Sequence, residues 1–386
     1  MGIKSWATTN GVVLTAPSGA IVTALVDSDN PLAIRPFTVR FQFGDSSYNP
    51  TNETWVSGSF WTQVSSSPNV WDFTYQNPDW RLPTNNGLFY EKFLDRNNLV
   101  TILGANLAGV TTAYGLFSGC TALYEVHNVD LSSVLDAFAI FKGCTAMSTV
   151  NGLNLQSATS LNRLFCECPN CSTFSNLAIG QPTDVGKVFE GCKKLVSAPL
   201  FDTSHAVSNE AMFMGCTLLT TLPLYDFGNV RNMSNCFSGC EALTSIPQFD
   251  TSKVEDMSHA FASAHSLVTL PLLDTSSVIT FERAFEYCTS LTSVPALNTR
   301  SMKNASSMFL FCSSLTAVPL LNTENLDNCS IMFQHCNNVE SGALALYTQM
   351  ANQVVVPPYH DLCFENCGVD TVTGAQELAQ IPSDWK

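Results

Sequence analysis

Charge is what this sequence has least of. Charged residues make up 13% of the 386-residue chain, about half the share of an ordinary soluble domain. Basic residues are the scarcer kind: 17 Lys and Arg stand against 32 Asp and Glu, a net charge of −15. Nucleic acid needs a basic footprint and anionic lipid needs a basic patch, so neither is an expected partner. The polar surface has to come from Ser, Thr and Asn. No apolar run reaches the ~20 unbroken residues of a membrane span, so no membrane insertion is expected. The stretch from Gly11 to Val26 is broken by Thr15, Pro17, Ser18 and Gly19, with only Lys4 ahead of it. A cleaved secretion signal wants ~7–15 continuous apolar residues after a basic start, so export by that route is not expected.

Motifs of catalysis are also missing. There is no Gly-rich phosphate loop, nucleophile elbow or metalloprotease motif. The six histidines (His127, His205, His259, His265, His335 and His360) have no Cys or Ser at a recognisable spacing. A glycan-degrading N-terminal segment would need paired carboxylates in a cleft, and residues 1–85 hold few acids: Asp27, Asp29, Asp45, Glu53, Asp72 and Asp79. The expectation is a protein with no catalytic residues, no cofactor and no metal.

What the sequence has is a register. Phenylalanine falls at Phe93, Phe117, Phe141, Phe165, Phe189, Phe213, Phe237, Phe261, Phe285, Phe309 and Phe333, always 24 residues apart. From Phe117 on, three residues after each comes Cys: Cys120, Cys144, Cys168, Cys192, Cys216, Cys240, Cys288, Cys312 and Cys336, with Ala264 in the one remaining slot. Ten after comes Pro in six successive units (Pro199, Pro223, Pro247, Pro271, Pro295, Pro319). Thirteen after comes Asp or Asn (Asp202, Asp226, Asp250, Asp274, Asn298, Asn322). A fixed period without insertions means that each repeat is one coil of a stack, with equivalent residues in columns along the axis. In the unit from Phe237, Leu243, Ile246 and Phe249 suggest a short extended segment. Asp250-Thr251-Ser252 offers helix-capping side chains, and Val254, Met257 and Phe261 follow at three and four, one face of a two-turn helix. Proline has no N–H to give to a ladder, so strands near it should be very short.

The fifteen cysteines look at first like a disulfide framework. Neighbouring coils ~4.8 Å apart are within disulfide reach, so bridges are not forbidden. A column of small buried side chains is the better reading, because Ala264 fills the same slot. Cys236, Cys329 and Cys363 fall where other coils place Met or Ala. Cys166-Glu-Cys168-Pro-Asn-Cys171 has metal-like spacing, but Cys168 and Cys171 sit on core columns and a structural zinc site wants four ligands. The Asp/Asn column reads as capping ahead of a calcium ladder.

The unit Cys-x-x-Leu-x-x-Leu-Pro-x-x-Asp-Thr-Ser-x-Val-x-x-Met-x-x-x-Phe-x-x-Cys, seen from Cys192 to Cys336 with weaker units back to Phe93, resembles that of the BspA-like leucine-rich-repeat surface proteins. The Asp-Thr-Ser piece is missing after Phe117, Phe141 and Phe165. The resemblance implies an α/β solenoid of leucine-rich-type 24-residue repeats, short parallel strands plus short helices. It also implies adhesion and surface display, in bacterial cell-surface proteins and in phage-encoded ones.

Three domains are expected: a small β-rich N-terminal attachment or oligomerisation domain at 1–85, the solenoid at 86–340, and a capping coil at 341–386. In the first, Phe37-Thr-Val-Arg-Phe-Gln-Phe alternates like a half-buried strand, and Trp55, Phe60, Trp61, Trp71 and Phe73 are core, subunit contact or a sugar-stacking surface. In the last, Ser341–Gln353 reads as an amphipathic helix, Phe364-Glu-Asn-Cys367 repeats the coil motif 31 residues after Phe333, and Ala375–Ala379 closes the chain.

The expected ligand-binding face is the strand side that turns outward. By simple register it holds the residues eight after each Phe (Ser197, Thr221, Ser245, Thr269, Ser293, Ala317) and twelve after (Phe201, Tyr225, Phe249, Leu273, Leu297, Leu321). The second set, if outward, is an apolar stripe of the kind that marks interfaces; if inward, it is core. The leading expectation is a phage virion fibre or decoration protein, binding a protein or glycan on a host surface or another virion protein. A bacterial cell-surface adhesin is the alternative, and an intracellular scaffold, suited to free thiols, comes third.

Overall fold

In the computed structural model the described residues are the strands at 6–8, 11–15, 21–24, 37–43, 59–66 and 69–75, residue 49, and 97–386 apart from 108 and 109. They fall into two compact units: residues 1–158 with 173–180, and residues 159–172 with 181–386. The expected boundary at 85/86 and Trp55 lie outside the described residues.

In the first unit, β1 (Trp6–Thr8), β2 (Gly11–Thr15) and β3 (Ile21–Ala24) form an antiparallel sheet. A larger mixed sheet holds β4 (Phe37–Phe43), β5 (Ser59–Ser66), β6 (Asn69–Tyr75), β7 (Leu99–Asn106), β8 (Glu125–Asp130), β9 (Thr149–Leu155), β10 (Thr173–Ser175) and β11 (Ala178–Ile179). The expected strand at Phe37 is β4. It pairs antiparallel with both β6 and β7, so the N-terminal strands share a sheet with the first coils. From β7 onward pairing is parallel and 24 residues out of phase: Val126 opposite Val150, Val129 opposite Leu153. Phe117 stacks on Phe141 at 5.4 Å.

The second unit is the solenoid in its plainest form. Phe165, Phe189, Phe213, Phe237, Phe261, Phe285, Phe309 and Phe333 stack coil upon coil at 5.2–5.9 Å, near-parallel, a spacing typical of offset aromatic pairs. All eight are at most 1% exposed. The Cys column lies beside them. From Cys192 to Cys336, each column thiol donates to the carbonyl of the Phe 27 residues earlier, as Cys216 does to Phe189 O at 3.1 Å, Cys240 to Phe213 O at 3.2 Å and Cys312 to Phe285 O at 3.0 Å, whereas Cys168 donates to Cys166 O at 3.8 Å. All fifteen cysteines are buried thiols.

Val254, Met257 and Phe261 point inward as the helical spacing requires, but the backbone that carries them is not a helix. Alternate N–H groups leave the coil: Met233 N donates to Asp256 O, Asn235 N to Ser258 O, Phe237 N to Ala260 O and Gly239 N to Ala262 O, at 2.7–2.9 Å. The intervening ones close tight turns: Cys236 N to Met233 O, Ser238 N to Asn235 O, Cys240 N to Phe237 O, at 3.1–3.2 Å. The reason is a left-handed residue every fourth position, Asn235 at φ 58° and Gly239 at φ 70°. An α-helix of L-residues does not tolerate that repeat. Every N–H still finds an acceptor, which a buried backbone demands. The ladder of parallel bridges runs through this turn segment, from Ser160 through Asp184, Ser208, Asn232, Asp256, Thr280 and Asn304 to Asn328.

The proline side of the coil is extended but barely paired. Among the described residues its only bridges in this unit are Ser197 with Thr221 and Ala317 with Ser341, in keeping with the lost proline N–H. At the far end α1 (Ala343–Ala351) and α2 (Val372–Gln380) form, both within the span expected to cap the stack. Thr371 caps α2, accepting from Gly374 N. Phe364 continues the ring column at 5.8 Å from Phe333, and Trp385 covers it, stacked also on His360 at 4.2 Å. Among the described residues no helix is long and apolar enough to cross a membrane.

Candidate recognition face

The outward side of the proline segment, in the coils from Phe189 to Phe309, is the candidate site. The residues eight after Phe are where the register puts them: Ser197, Thr221, Ser245, Thr269, Ser293 and Ala317 are all exposed. The residues twelve after are not. Tyr225 and Phe249 are 2% exposed, Leu273 3%, Leu321 5% and Leu297 7%. Phe201 is half-buried. The stripe expected there is core. Tyr225 packs its ring against Phe213 and Phe227 and donates its hydroxyl to Pro199 O at 2.6 Å. Burial pushes the Tyr225 phenol well above its ordinary pKa.

The cause is a slip of phase. A strand alternates with period two, so eight, ten and twelve after Phe would share a side. At the proline two successive residues, ten and eleven after, both stay out of the core, and the residues nine and twelve after both go in. Ile246 and Phe249 are the example, at 7% and 2% exposed. A one-residue slip reverses every later side chain.

The apolar stripe therefore exists, one residue earlier. Leu200, Leu224, Leu272 and Leu320 are 68%, 67%, 61% and 87% exposed. Each directly follows a proline of the column. Gln248 and Ala296 occupy the same row. Sequence reasoning passed over this row; the Pro-Leu pair recurring at the coil period was the available signal.

Next to the ridge, two residues on, lie the Asp and Asn side chains. They cap turns, not helices. Ser204 N donates to Asp202 Oδ1, Gly228 N to Asp226 Oδ1, Ser252 N to Asp250 Oδ1 and Ser276 N to Asp274 Oδ1, at 2.9–3.0 Å. Hydrogen bonds from Ser204, Ser252 and Ser276 hold the carboxyls of Asp202, Asp250 and Asp274 below the usual carboxylate range. The following threonine turns inward and ties the coils together: Thr203 donates to Asp226 O, Thr251 to Asp274 O and Thr275 to Asn298 O, at 2.8–3.1 Å. Where Gln248 and Ala296 interrupt the ridge there is an open depression of about 530 Å³, lined by Phe249, Asp250, Leu272, Leu273, Asp274 and Ala296 among others.

The other candidates gather elsewhere or nowhere. Burial raises the thiols of Cys171 and Cys192, and Cys166 Sγ donates to Glu190 Oε2 at 3.4 Å. Among the described residues no group of three or more His, Cys, Asp or Glu could hold a metal ion. The N-terminal aromatics Phe60, Trp61, Trp71 and Phe73 lie on the paired strands β5 and β6, with Trp61 opposite Phe73.

This is a 24-residue-repeat solenoid with an outward leucine ridge beside a row of carboxylates. By sequence, overlapping segments 89–200, 183–292 and 232–346 match the family described as "Mycoplasma protein of unknown function, DUF285". The chain belongs to that family. Among curated proteins no match is found. Two solved structures are similar over nearly their whole length. One is a leucine-rich repeat protein from Eubacterium ventriosum, at 12% identity and a TM-score of 0.34, covering 95% of this chain and 96% of that one. The other is a leucine rich cell surface protein from Faecalibacterium prausnitzii, at 13% identity and a TM-score of 0.33, covering 99% and 98%.

Proposed function

We propose that the chain is a non-enzymatic recognition protein that meets a macromolecular partner with the outward face of its proline segments, and that it works at a bacterial cell surface. The observation that carries the first part is the ridge of Leu200, Leu224, Leu272 and Leu320. Leucines this exposed, repeated on one side of a rigid stack, are costly in water and mark an interface. Solenoids offer extended surfaces of this kind because each coil adds one more row to the same face. For the second part, the support is the family, described from a cellular bacterium, together with the repeat unit's likeness to BspA-like surface proteins. The phage virion component rests on the repeat type, a weakly charged Ser/Thr/Asn surface and the expectation of no cleaved secretion signal, and with no support from the family it takes second place.

The test is mass spectrometry of cell envelopes, of purified particles and of the soluble fraction from the source culture. Peptides recovered from envelopes are the expected result. Recovery from particles alone would replace the cell-surface reading with the virion one. Recovery from the soluble fraction alone would sink both and leave an intracellular scaffold.

A further inference from the structure

The recognition face has a composition of its own. Between seven and thirteen residues after Phe, the six proline coils read Val196–Asp202, Thr220–Asp226, Thr244–Asp250, Val268–Asp274, Thr292–Asn298 and Thr316–Asn322. These segments contain four Asp and not one Lys, Arg, His or Glu. So a surface with outward Leu at its middle and outward Ser and Thr along one side has carboxylates, and no base, along the other.

The carboxylates are fixed and they oppose one another. Each is oriented by its bond to the N–H two residues on. They repeat at the coil spacing of ~4.8 Å, close enough that the charge on Asp250 raises the pKa of Asp274. The cations bordering the row are few. Lys253 is held by Asn229 Oδ1 at 2.6 Å, and Lys253, Arg300 and His205 each attract one carboxylate from the edge of the face. A row of like charges is an unfavourable arrangement that a cationic partner would relieve. An anionic glycan or a nucleic acid would add to it. A neutral glycan would leave it unrelieved and would not cover the leucines.

We infer that the partner is a cationic amphipathic protein segment, seated with its apolar side chains on the leucine ridge and its Lys or Arg side chains along the Asp row. The inference rests on the reading that this outward face is the one that recognises. The depression between Leu272 and Ala296 gives one basic side chain a place: its aliphatic stem lies over Leu272 and its charged end lies between Asp250 and Asp274. The row becomes Asn298 and Asn322 in the last two coils. The basic end of the partner therefore lies over the coils from Asp202 to Asp274, and its apolar end runs toward Leu320.

The experiment uses the full chain and a fluorescent synthetic helical peptide of Leu and Lys as the probe, read by anisotropy at low and high salt. A Gly/Lys peptide of equal charge and a Leu/Glu peptide are the controls. Two double variants, both at exposed positions, are compared with the parent protein: Asp250→Asn with Asp274→Asn, and Leu224→Ser with Leu272→Ser. We expect the Leu/Lys peptide to bind, each double variant to weaken it about tenfold, added salt to weaken it further, and both controls to bind poorly. If the Leu→Ser pair abolishes binding while the Asp→Asn pair leaves it unchanged, the face stands and its cationic partner does not. If neither pair matters, the face itself is the wrong one. Equal binding of the Gly/Lys peptide would reduce the effect to net charge and overturn the proposal.

Discussion

The two units solve one geometric problem in different ways. In both, the residues nine and twelve after Phe must face the core, and a regular strand cannot do that. In the first unit the residue eleven after Phe117, Phe141 and Phe165 is left-handed: Asn128 at φ 49°, Gly152 at φ 80°, Asn176 at φ 52°. The strand bulges there and continues, so β8 and β9 keep their parallel ladder. In the second unit proline at ten after makes the turn, the residue eleven after has an ordinary backbone, and the ladder is given up. The difference decides what stands outside. Left-handed positions admit Asn and Gly, whereas the proline solution leaves the next position open to Leu. The leucine ridge exists only where proline carries the phase slip.

The inner columns should be indifferent to this contrast. Phe141→Ala in the first unit and Phe237→Ala in the second each remove a fully buried stacked ring and should each cost about 3–5 kcal/mol in urea denaturation followed by circular dichroism. A much smaller loss in the strand-bearing unit would mean that backbone pairing, not ring stacking, holds it. A buried polar residue should move the other way. Asn209 is fully buried, with neither side-chain nitrogen nor oxygen partnered, in a column that the next coils fill with Met233 and Met257. Asn209→Met should stabilise by about 1–3 kcal/mol, and an unchanged or lower denaturation midpoint would show the amide to be satisfied.

The row eleven after Phe gives the sharpest contrast. Gly152→Ala puts a Cβ on a left-handed residue, 3.2 Å from the Asn128 backbone, and should cost more than about 1 kcal/mol. Leu224→Ala, on the same row in the other unit, should change stability by no more than about 0.5 kcal/mol. Equal costs would erase the distinction between the units. The smallest effect belongs to acid. The folded-state pKa values of Asp250 and Asp274 are depressed, so their contribution is present above the unfolded value near ~3.9 and is lost as pH falls through the lower folded values. Both groups are almost fully exposed, so the term is small. Asp250→Asn with Asp274→Asn should slightly flatten the acid limb of stability below about pH 4, and an unaltered limb would place the acid sensitivity elsewhere.

The repeat, its columns and their burial were legible because they depend only on period. Phe237, Cys240, Leu243, Val254 and Met257 are inside, as their spacing requires. The turn backbone was not legible. Its left-handed residue two after Phe is Gly in several coils but Ser263, Tyr287, Phe311 and His335 in others, which blurs the glycine signal, while Met-x-x-x-Phe is the spacing of a helix. The outward leucine row was missed by one residue for a reason confined to one bond: strand periodicity was carried through a proline that resets it. A proline inside an alternating run is a place to restart the count.

The unbroken stack also makes the coil a unit of inheritance. Almost every hydrogen bond between coils joins residues 22–28 apart, so a gene that loses or duplicates one whole repeat keeps all columns aligned. Loss of Phe237–Ala260 would join Cys236 to Phe261, preserve the rings, and carry off Gln248, bringing Leu224 beside Leu272. A loss one residue longer or shorter would misalign everything that follows. Ridges of different length and with different gaps are within reach of a single recombination event between neighbouring repeats.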